Sequence, residues 1–319
     1  THKARHITRR RFLESLACGL AVGRTALAST SRPSEDQPFF HTRGVVVTPE
    51  DLTLTDWPER AAAAGLTTIA LHATRSPRAL ANYVESEAGQ QFLRTCRRLG
   101  LNVEYELHAM QDLLPRELFD KAPELFRMDD KGARVREWNL CVHSELAMQT
   151  VAQNAVDLAK TLHPTTGRYF YWGDDGCPWC RCPRCAELSD SDQALLVATR
   201  ILDAIRETHS AAQVAYLAYH NTLPPPRQIK RKPGVFLEYA PIHRRYDVPF
   251  EQANDAKSRQ EFEMLDANLE VFGRGDAQVL EYWLDVSLFS KWKKPAVKVP
   301  FDPRVLAADL DMYGRRGIR

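Results

Sequence analysis

Short apolar runs alternate with amphipathic segments along most of the chain. From about residue 40 onward, apolar runs predict seven strands, over 43–47, 67–73, 102–108, 168–172, 213–219, 234–239 and 277–284. Between them, spacing of about 3.6 residues predicts helices over 57–64, 80–99, 144–162, 191–208, 255–272 and 303–314. A repeated strand–helix alternation is typical of a parallel sheet covered by helices.

This alternation predicts an α/β fold, a (β/α)8 barrel of the TIM type over residues 40–319. Only seven strands are predicted, so the barrel lacks its last strand or is truncated there. Residues 317–319 are either a stub of that strand, or the chain is a truncated piece. A doubly wound open sheet is the alternative. No Gly-x-Gly-x-x-Gly follows any predicted strand, which weakens a dinucleotide-binding fold of that kind.

The first 28 residues read as an export signal. Residues 8–13, Thr-Arg-Arg-Arg-Phe-Leu, match the twin-arginine pattern, and a weakly apolar segment ends in Ala-Leu-Ala at 26–28. A basic, disordered tail is the alternative. Residues 29–39 are then a linker. Because no later stretch reaches the ~20 apolar residues of a membrane span, we expect a soluble periplasmic or secreted protein.

Charge argues against a nucleic-acid partner. The formal net charge is +2, but residues 1–28 carry six Lys or Arg and one Glu. The remaining body is therefore mildly acidic and lacks the basic surface that nucleic acids need.

Polar residues recur at alternate positions of the predicted strands, on the side that would face the barrel interior. In 103–108 the interior positions are Glu104, Glu106 and His108, which lie at the carboxyl end where barrels place their sites. Carboxylates that hold hydroxyl groups and aromatic rings that stack on sugar faces suit a glycan ligand. Tyr216 also has this interior parity. The residues predicted to bind substrate are Glu106, His108, Trp172, Tyr219, His220, Asn221, Glu238, Tyr239, Glu281 and Trp283.

Two adjacent carboxylates, Asp174 and Asp175, follow the most hydrophobic predicted strand. Neighbouring carboxylates suppress each other's ionisation, and a protonated one is what an acid catalyst needs. Most glycosidases place acid and nucleophile on different strands, about 5–9.5 Å apart. A pair on one strand suits a scheme in which the 2-acetamido group of the substrate is the nucleophile. The alternative is a turn, because Asp-Gly is a common turn pair.

Four cysteines follow at once with the spacing Cys-x2-Cys-x-Cys-x2-Cys: Cys177, Cys180, Cys182 and Cys185. Two Cys-x-x-Cys arms are a usual way to bind zinc. A zinc with four thiolate ligands has a closed shell and is structural, so we expect no cofactor for catalysis. Disulfides or free thiols are the alternatives, because an exported protein meets an oxidising compartment.

Longer motifs carry a family resemblance. They are 105–108 (Tyr-Glu-Leu-His), 125–129, 139–141, 171–185, 188–193, 217–222 and 236–242. Together they resemble the domain-of-unknown-function 4838 family of the glycosidase barrel superfamily, and more distantly glycoside hydrolase family 163. The resemblance implies a (β/α)8 barrel with Asp174 as amide polariser and Asp175 as general acid/base. Related barrels often carry Asp-Glu here, so the order of roles within the pair stays open.

These observations predict an exported glycoside hydrolase that cleaves 2-acetamido glycans with retention. The alternatives are a non-catalytic carbohydrate-binding barrel that uses the same residues, and a metal-dependent hydrolase centred on the cysteines.

Overall fold

The structure is a computed structural model that describes residues 39–54, 56–73, 76–285, 290 and 301–319. The predicted signal at 1–28 and all but the last residue of the predicted linker lie outside the described residues.

Among the described residues, seven strands form one sheet in the order in which they occur in the chain. They are β1 Gly44–Val47, β2 Thr68–His72, β3 Asn102–His108, β4 Arg168–Trp172, β5 Gln213–Ala218, β6 Val235–Tyr239 and β7 Gln278–Val279. Every neighbouring pair is parallel. A doubly wound sheet reverses its strand order part-way. This sheet does not, so the (β/α) barrel prediction is confirmed, here as an open barrel of seven strands.

Helices cover the outer face of the sheet. They are α1 Trp57–Ala63, α2 Pro77–Glu85, α3 Glu87–Arg98, α4 Met110–Leu113, α5 Glu145–Thr161, α6 Asp190–Arg206, α7 Ala256–Phe272 and α8 Pro303–Arg315. The single helix predicted over 80–99 is interrupted at Ser86, which is extended (φ −68°, ψ 162°). Its hydroxyl accepts a hydrogen bond from the Gly89 amide at 3.2 Å and so starts a new helix. None of the helices in the described part of the chain is long and apolar enough to cross a bilayer.

The two faces of the sheet differ in polarity. The outer face packs against the helices in one large apolar core that includes Tyr105, Tyr171 and Leu237. The barrel interior holds a small apolar group, Phe170, Trp172, Ala215 and Phe236, together with buried charged side chains. Strand residues alternate between these environments, so the carboxyl end of the interior is where a polar site forms.

The segment between β3 and α5 packs beside the loop that follows β4. It contains α4, two short 3-10 turns, and two isolated antiparallel bridges that join Phe126 to Leu140 and Met128 to Arg134. This hairpin-like fold brings Asn139 and Cys141 to the Asp-Asp loop, although 35 or more residues separate them in sequence.

Candidate functional site

Four aromatic side chains meet at the carboxyl end of the barrel and form what we call the mouth cluster: His72, His108, Trp172 and Tyr219. They come from the ends of β2, β3, β4 and β5. The ring centroid of His108 lies 5.1 Å from that of Trp172 and 6.2 Å from that of Tyr219. The His72 ring stacks on Trp172 at 6.4 Å. Three of these residues were predicted as ligand-binding; His72 was missed.

Asp175 is the exposed member of the Asp-Asp pair. Its side chain is 62% exposed, and Oδ1 lies 3.7 Å from Nε2 of His108. Its charge raises the pKa of Tyr219, secondary to the effect of burial. Asp175 therefore faces the mouth cluster, where a ligand has access.

Asp174 is the buried member of the pair and is held on several sides. Its side chain is 12% exposed, and Oδ2 accepts a hydrogen bond from Arg116 Nη2 at 2.7 Å. Its backbone N–H donates to Asn139 Oδ1 at 2.9 Å. Burial raises the pKa of Asp174, and the Arg116 charge opposes that shift. The two carboxylates are thus in different environments.

Asn139 fixes the loop that carries both carboxylates. Besides accepting from Asp174, its side-chain amide donates to the carbonyls of Cys177 and Pro178 at 3.1 and 3.2 Å. Asn139 is fully buried. Asn221 has a similar bracing function, because its amide donates to Cys177 O and Asp190 Oδ2. Its predicted contact with a ligand stays a prediction.

His220 packs over the same loop from the other side. It has a positive φ of 47°, which is unusual for a residue with a side chain. Its Nδ1 lies 2.9 Å from Nε2 of His243, and its ring lies against Gly176. The Asp175 charge acts on His220 and partly offsets the lowering of its pKa by burial. His220 therefore borders the mouth cluster through Tyr219, with ring centroids 4.1 Å apart.

The predicted ligand-binding carboxylates Glu106 and Glu238 are interior but deep. They are 2% and 0% exposed, and Glu106 lies one interior position below His108 on β3. Burial and the neighbouring Glu104 raise the pKa of Glu106 to about 8. Burial raises the pKa of Glu238 well above its usual range. Both side chains face the interior below the level of His108, and their contact with a ligand stays a prediction.

Arg168 is the cation of this deep layer. Its Nε lies 3.8 Å from Glu104, and its guanidinium stacks over the Phe236 ring at 4.5 Å. It also bonds Gln278 of β7, whose amide donates to Glu238 at 3.2 Å. This layer ties β3, β4, β6 and β7 together.

On β7, the predicted assignment of interior positions is wrong by one residue. Gln278 faces the interior, and Leu280 packs on the interior apolar group, so the interior positions are 278, 280 and 282. Glu281 instead pairs with Arg244 at 3.0 Å, and Trp283 Nε1 donates to Asp309 at 2.8 Å. Neither of the two reaches the mouth. Burial, and then the neighbouring Tyr219 and Asp285, raise the pKa of the adjacent Tyr282.

Two other predicted positions face the helices. Tyr239 follows the interior Glu238, and its hydroxyl donates to the backbone carbonyl of Glu261 in α7. Tyr216 stacks on Phe272 of α7 at 4.7 Å. Because side chains alternate along a strand, neither residue shares the face that carries the site.

A second site lies behind the Asp-Asp loop, where four buried thiols converge: Cys141, Cys180, Cys182 and Cys185. Their sulfur atoms all lie within 4.8 Å of one another. Cys177, predicted as the fourth ligand, lies outside this group, and its thiol donates to the Asp175 carbonyl at 3.2 Å. Cys141 takes its place because the 125–141 segment packs against the cysteine loop.

The geometry of the thiols fits a tetrahedral metal. Cys141 Sγ lies 3.7 Å from Cys182 Sγ and 3.8 Å from Cys185 Sγ. Zn–S bonds of about 2.3 Å place tetrahedral ligands ~3.8 Å apart. Disulfides need ~2.05 Å, and the six cysteines of the described residues are all free. Cys180 Sγ also accepts from the Met128 amide at 3.3 Å, as a metal-bound thiolate does.

The model of the family described as "Domain of unknown function (DUF4838)" matches residues 34–272. The chain belongs to this family. The resemblance that the sequence motifs carried is therefore confirmed. The chain has no significant match among curated proteins.

Solved structures of glycosidases show distant similarity. An exo-β-1,4-mannosidase from Opitutaceae bacterium strain TAV5 is 13% identical with a TM-score of 0.36, and 84% of this chain covers 55% of that chain. A GH42 β-galactosidase from G. stearothermophilus is 12% identical with a TM-score of 0.42, over 72% of this chain and 43% of that one. A β-galactosidase from Marinomonas ef1 is 15% identical with a TM-score of 0.40, over 86% and 46%. The chain thus spans about half the length of these proteins.

Proposed function

We propose that this protein is a glycoside hydrolase that cleaves 2-acetamido glycosides with the acetamido group of the substrate as nucleophile. The observation that carries the proposal is the division of the Asp-Asp pair. Asp175 is exposed beside the aromatic mouth cluster, whereas Asp174 is buried and fixed by Arg116. An exposed carboxyl group suits proton transfer, and one fixed by a charged partner suits substrate orientation.

In the proposed reaction, Asp175 gives its proton to the glycosidic oxygen as the C1–O bond breaks. The acetamido carbonyl oxygen forms a bond to C1 at the same time, and Asp174 accepts a hydrogen bond from the acetamido N–H and polarises it. Asp175, now ionised, then takes a proton from water, which attacks C1 and releases the acetamido group. The product keeps the configuration of the substrate.

Variants of the pair test this assignment on an aryl 2-acetamido-2-deoxy-β-glucoside. We expect Asp175→Asn and Asp174→Asn to lower kcat by about 100-fold or more, whereas Asp130→Asn, at a side chain that is 90% exposed, leaves it unchanged. Replacing the acetyl group of the substrate by trifluoroacetyl weakens the nucleophile, so kcat falls steeply in the wild type. A rate insensitive to that replacement rules out substrate assistance. Saturable glycan binding without turnover favours a carbohydrate-binding role.

We also infer that Cys141, Cys180, Cys182 and Cys185 hold a structural Zn²⁺. The tetrahedral Sγ spacing and the buried N–H···S bonds support this assignment. Four thiolates leave no open position for a substrate, so the metal stabilises the fold without entering the reaction. Metal analysis of Cys141→Ser is expected to show loss of about one equivalent, while Cys177→Ser retains it. Equal metal content in the two variants contradicts the ligand set.

We further propose that residues 1–28 direct export by the twin-arginine route, on the pattern of residues 8–13. Replacing Arg9 and Arg10 by Lys is expected to keep the protein inside the cytoplasm of a bacterial host.

A further inference from the structure

Two histidines on adjacent strands are built in the same way. Nδ1 of His72 lies 2.7 Å from the backbone carbonyl of Glu106, on β3. Nδ1 of His108 lies 2.7 Å from the backbone carbonyl of Gly173, just after β4. A carbonyl oxygen only accepts, so each Nδ1 carries the proton and donates it. In the neutral ring, Nε2 is then an acceptor.

Both imidazoles remain neutral near pH 7. Burial lowers the pKa of His72 and of His108, and the favourable charges of Asp175 and, for His72, Asp285 only partly offset that effect. His220 lowers the pKa of His108 further. The mouth therefore presents two fixed acceptors, with the rings 6.0 Å apart and edge-to-face.

A buried donor lies beside these acceptors. Trp172 contacts both imidazole rings and is 5% exposed, and its Nε1 has no hydrogen-bond partner among the described residues. Among the described residues beside the pair, Arg116 donates to Asp174 at 2.7 Å. The acidic side chains that act on these histidines are Asp175 for both rings and Asp285 for His72. Such a site suits hydroxyl groups and disfavours an anionic ligand.

We propose that His72 and His108 accept hydrogen bonds from two hydroxyl groups of one uncharged sugar residue bound against Trp172. This inference rests on the proposed function and adds to it a specificity-determining residue, His72, and a substrate class, neutral rather than uronic sugars. His72 contacts the sugar, and the fixed Nδ1 bond sets the direction in which its Nε2 lone pair points.

A cycle of variants and deoxy substrates tests the contact. We expect His72→Phe to lower kcat/KM for the aryl 2-acetamido-2-deoxy-β-glucoside by about 10- to 100-fold, and His72→Gln, which keeps an acceptor, by less. With the wild type, kcat/KM for one of the 3-, 4- or 6-deoxy analogues is expected to fall by the same factor relative to the parent substrate. With His72→Phe, removal of that hydroxyl group is expected to cause no further fall. His163→Phe is the matched control, because its imidazole bonds Tyr169 at the opposite end of β4. Additive losses for all three deoxy analogues overturn the proposal.

Substrate charge is tested with the 6-carboxylate of the same aryl glycoside. It keeps the acetamido group, so the expected loss in kcat/KM of about 100-fold or more reports on charge alone. Equal rates overturn the neutral-sugar class. If the wild type cleaves no glycoside, calorimetric binding of N-acetylglucosamine separates the two proposals. If His72→Phe weakens this binding, the histidine contact is supported although the hydrolase assignment fails. If the variant binds as well as the wild type, the contact is refuted.

Discussion

Arg244 is expected to stabilise the packing of α8 against the segment that follows β7. Its side chain is 0% exposed and lies between two buried carboxylates, with Nη2 2.5 Å from Asp309 Oδ2 and 3.0 Å from Glu281 Oε1. Asp309 belongs to α8 and Glu281 follows β7, so the arginine joins the two. Its guanidinium also stacks on the rings of Tyr246 and Phe250, at 4.6 and 4.7 Å.

Replacing Arg244 by Met keeps the apolar stem but leaves the two carboxylates facing each other without a cation. Removal of one partner from a buried ion pair costs about 3–5 kcal/mol. That loss corresponds to a fall in Tm of roughly 10 °C for a domain of this size. The neighbouring Arg245→Met is the matched control, because Arg245 is 48% exposed and pairs with the exposed Asp247. It is expected to cost less than about 1 kcal/mol.

Urea unfolding followed by circular dichroism measures both free energies. The loss of unfolding free energy in Arg244→Met is expected to shrink as the pH falls towards 5. Burial already raises the pKa of Glu281, and loss of the cation raises that pKa further. Protonation then relieves the repulsion. If Arg244→Met lowers the free energy of unfolding by less than about 1 kcal/mol at pH 8, or by no more than Arg245→Met does, the buried ion pairs do not stabilise the fold as expected.

Three further changes have defined outcomes. Burial raises the pKa of Glu106 to about 8, so the folded protein keeps a proton that the unfolded chain, with a pKa near 4.3, releases; stability therefore falls as the pH rises between these values. Glu106→Gln removes this pH dependence. Unfolding titrations are expected to show that the free energy of unfolding of the variant exceeds that of the wild type by a margin that grows to ~1 kcal/mol or more by pH 8. A margin that does not change with pH contradicts this prediction. Asn139→Ala is expected to lower kcat about tenfold with little change in KM, because it frees the Asp174 backbone; an unchanged kcat shows that the loop needs no such clamp. A strong chelator is expected to lower the Tm of the wild type but not that of Cys141→Ser; an equal shift in both places the metal elsewhere.

Strand order and the interior parity of β3 and β6 were predictable from the sequence. Alternation in 103–108 and in 235–239 is regular, and His108 and Glu238 face inward as expected. The parity at β7 was wrong because that strand has only two residues, Gln278 and Val279. A shift of one position exchanges the two faces of a strand.

His72 was identifiable in principle, because it occupies the interior position at the end of its strand. The fourth thiol was not. Cys141 lies 41 residues from Cys182 in the chain, and the contact depends on how an irregular segment packs against the cysteine loop. Local spacing instead favoured Cys177, which completes a regular Cys-x-x-Cys arm. The division of roles within the Asp-Asp pair likewise depends on Arg116, a distant residue with no motif of its own.

The central claim is that the mouth hydrolyses 2-acetamido glycosides. The most direct measurement compares initial rates for two aryl substrates, the 2-acetamido-2-deoxy-β-glucoside and the β-glucoside, which differ only at C2. We expect turnover of the first, loss of that turnover in Asp175→Asn, and no detectable turnover of the second. Equal cleavage of both substrates, or cleavage of neither by protein shown to be folded, contradicts it.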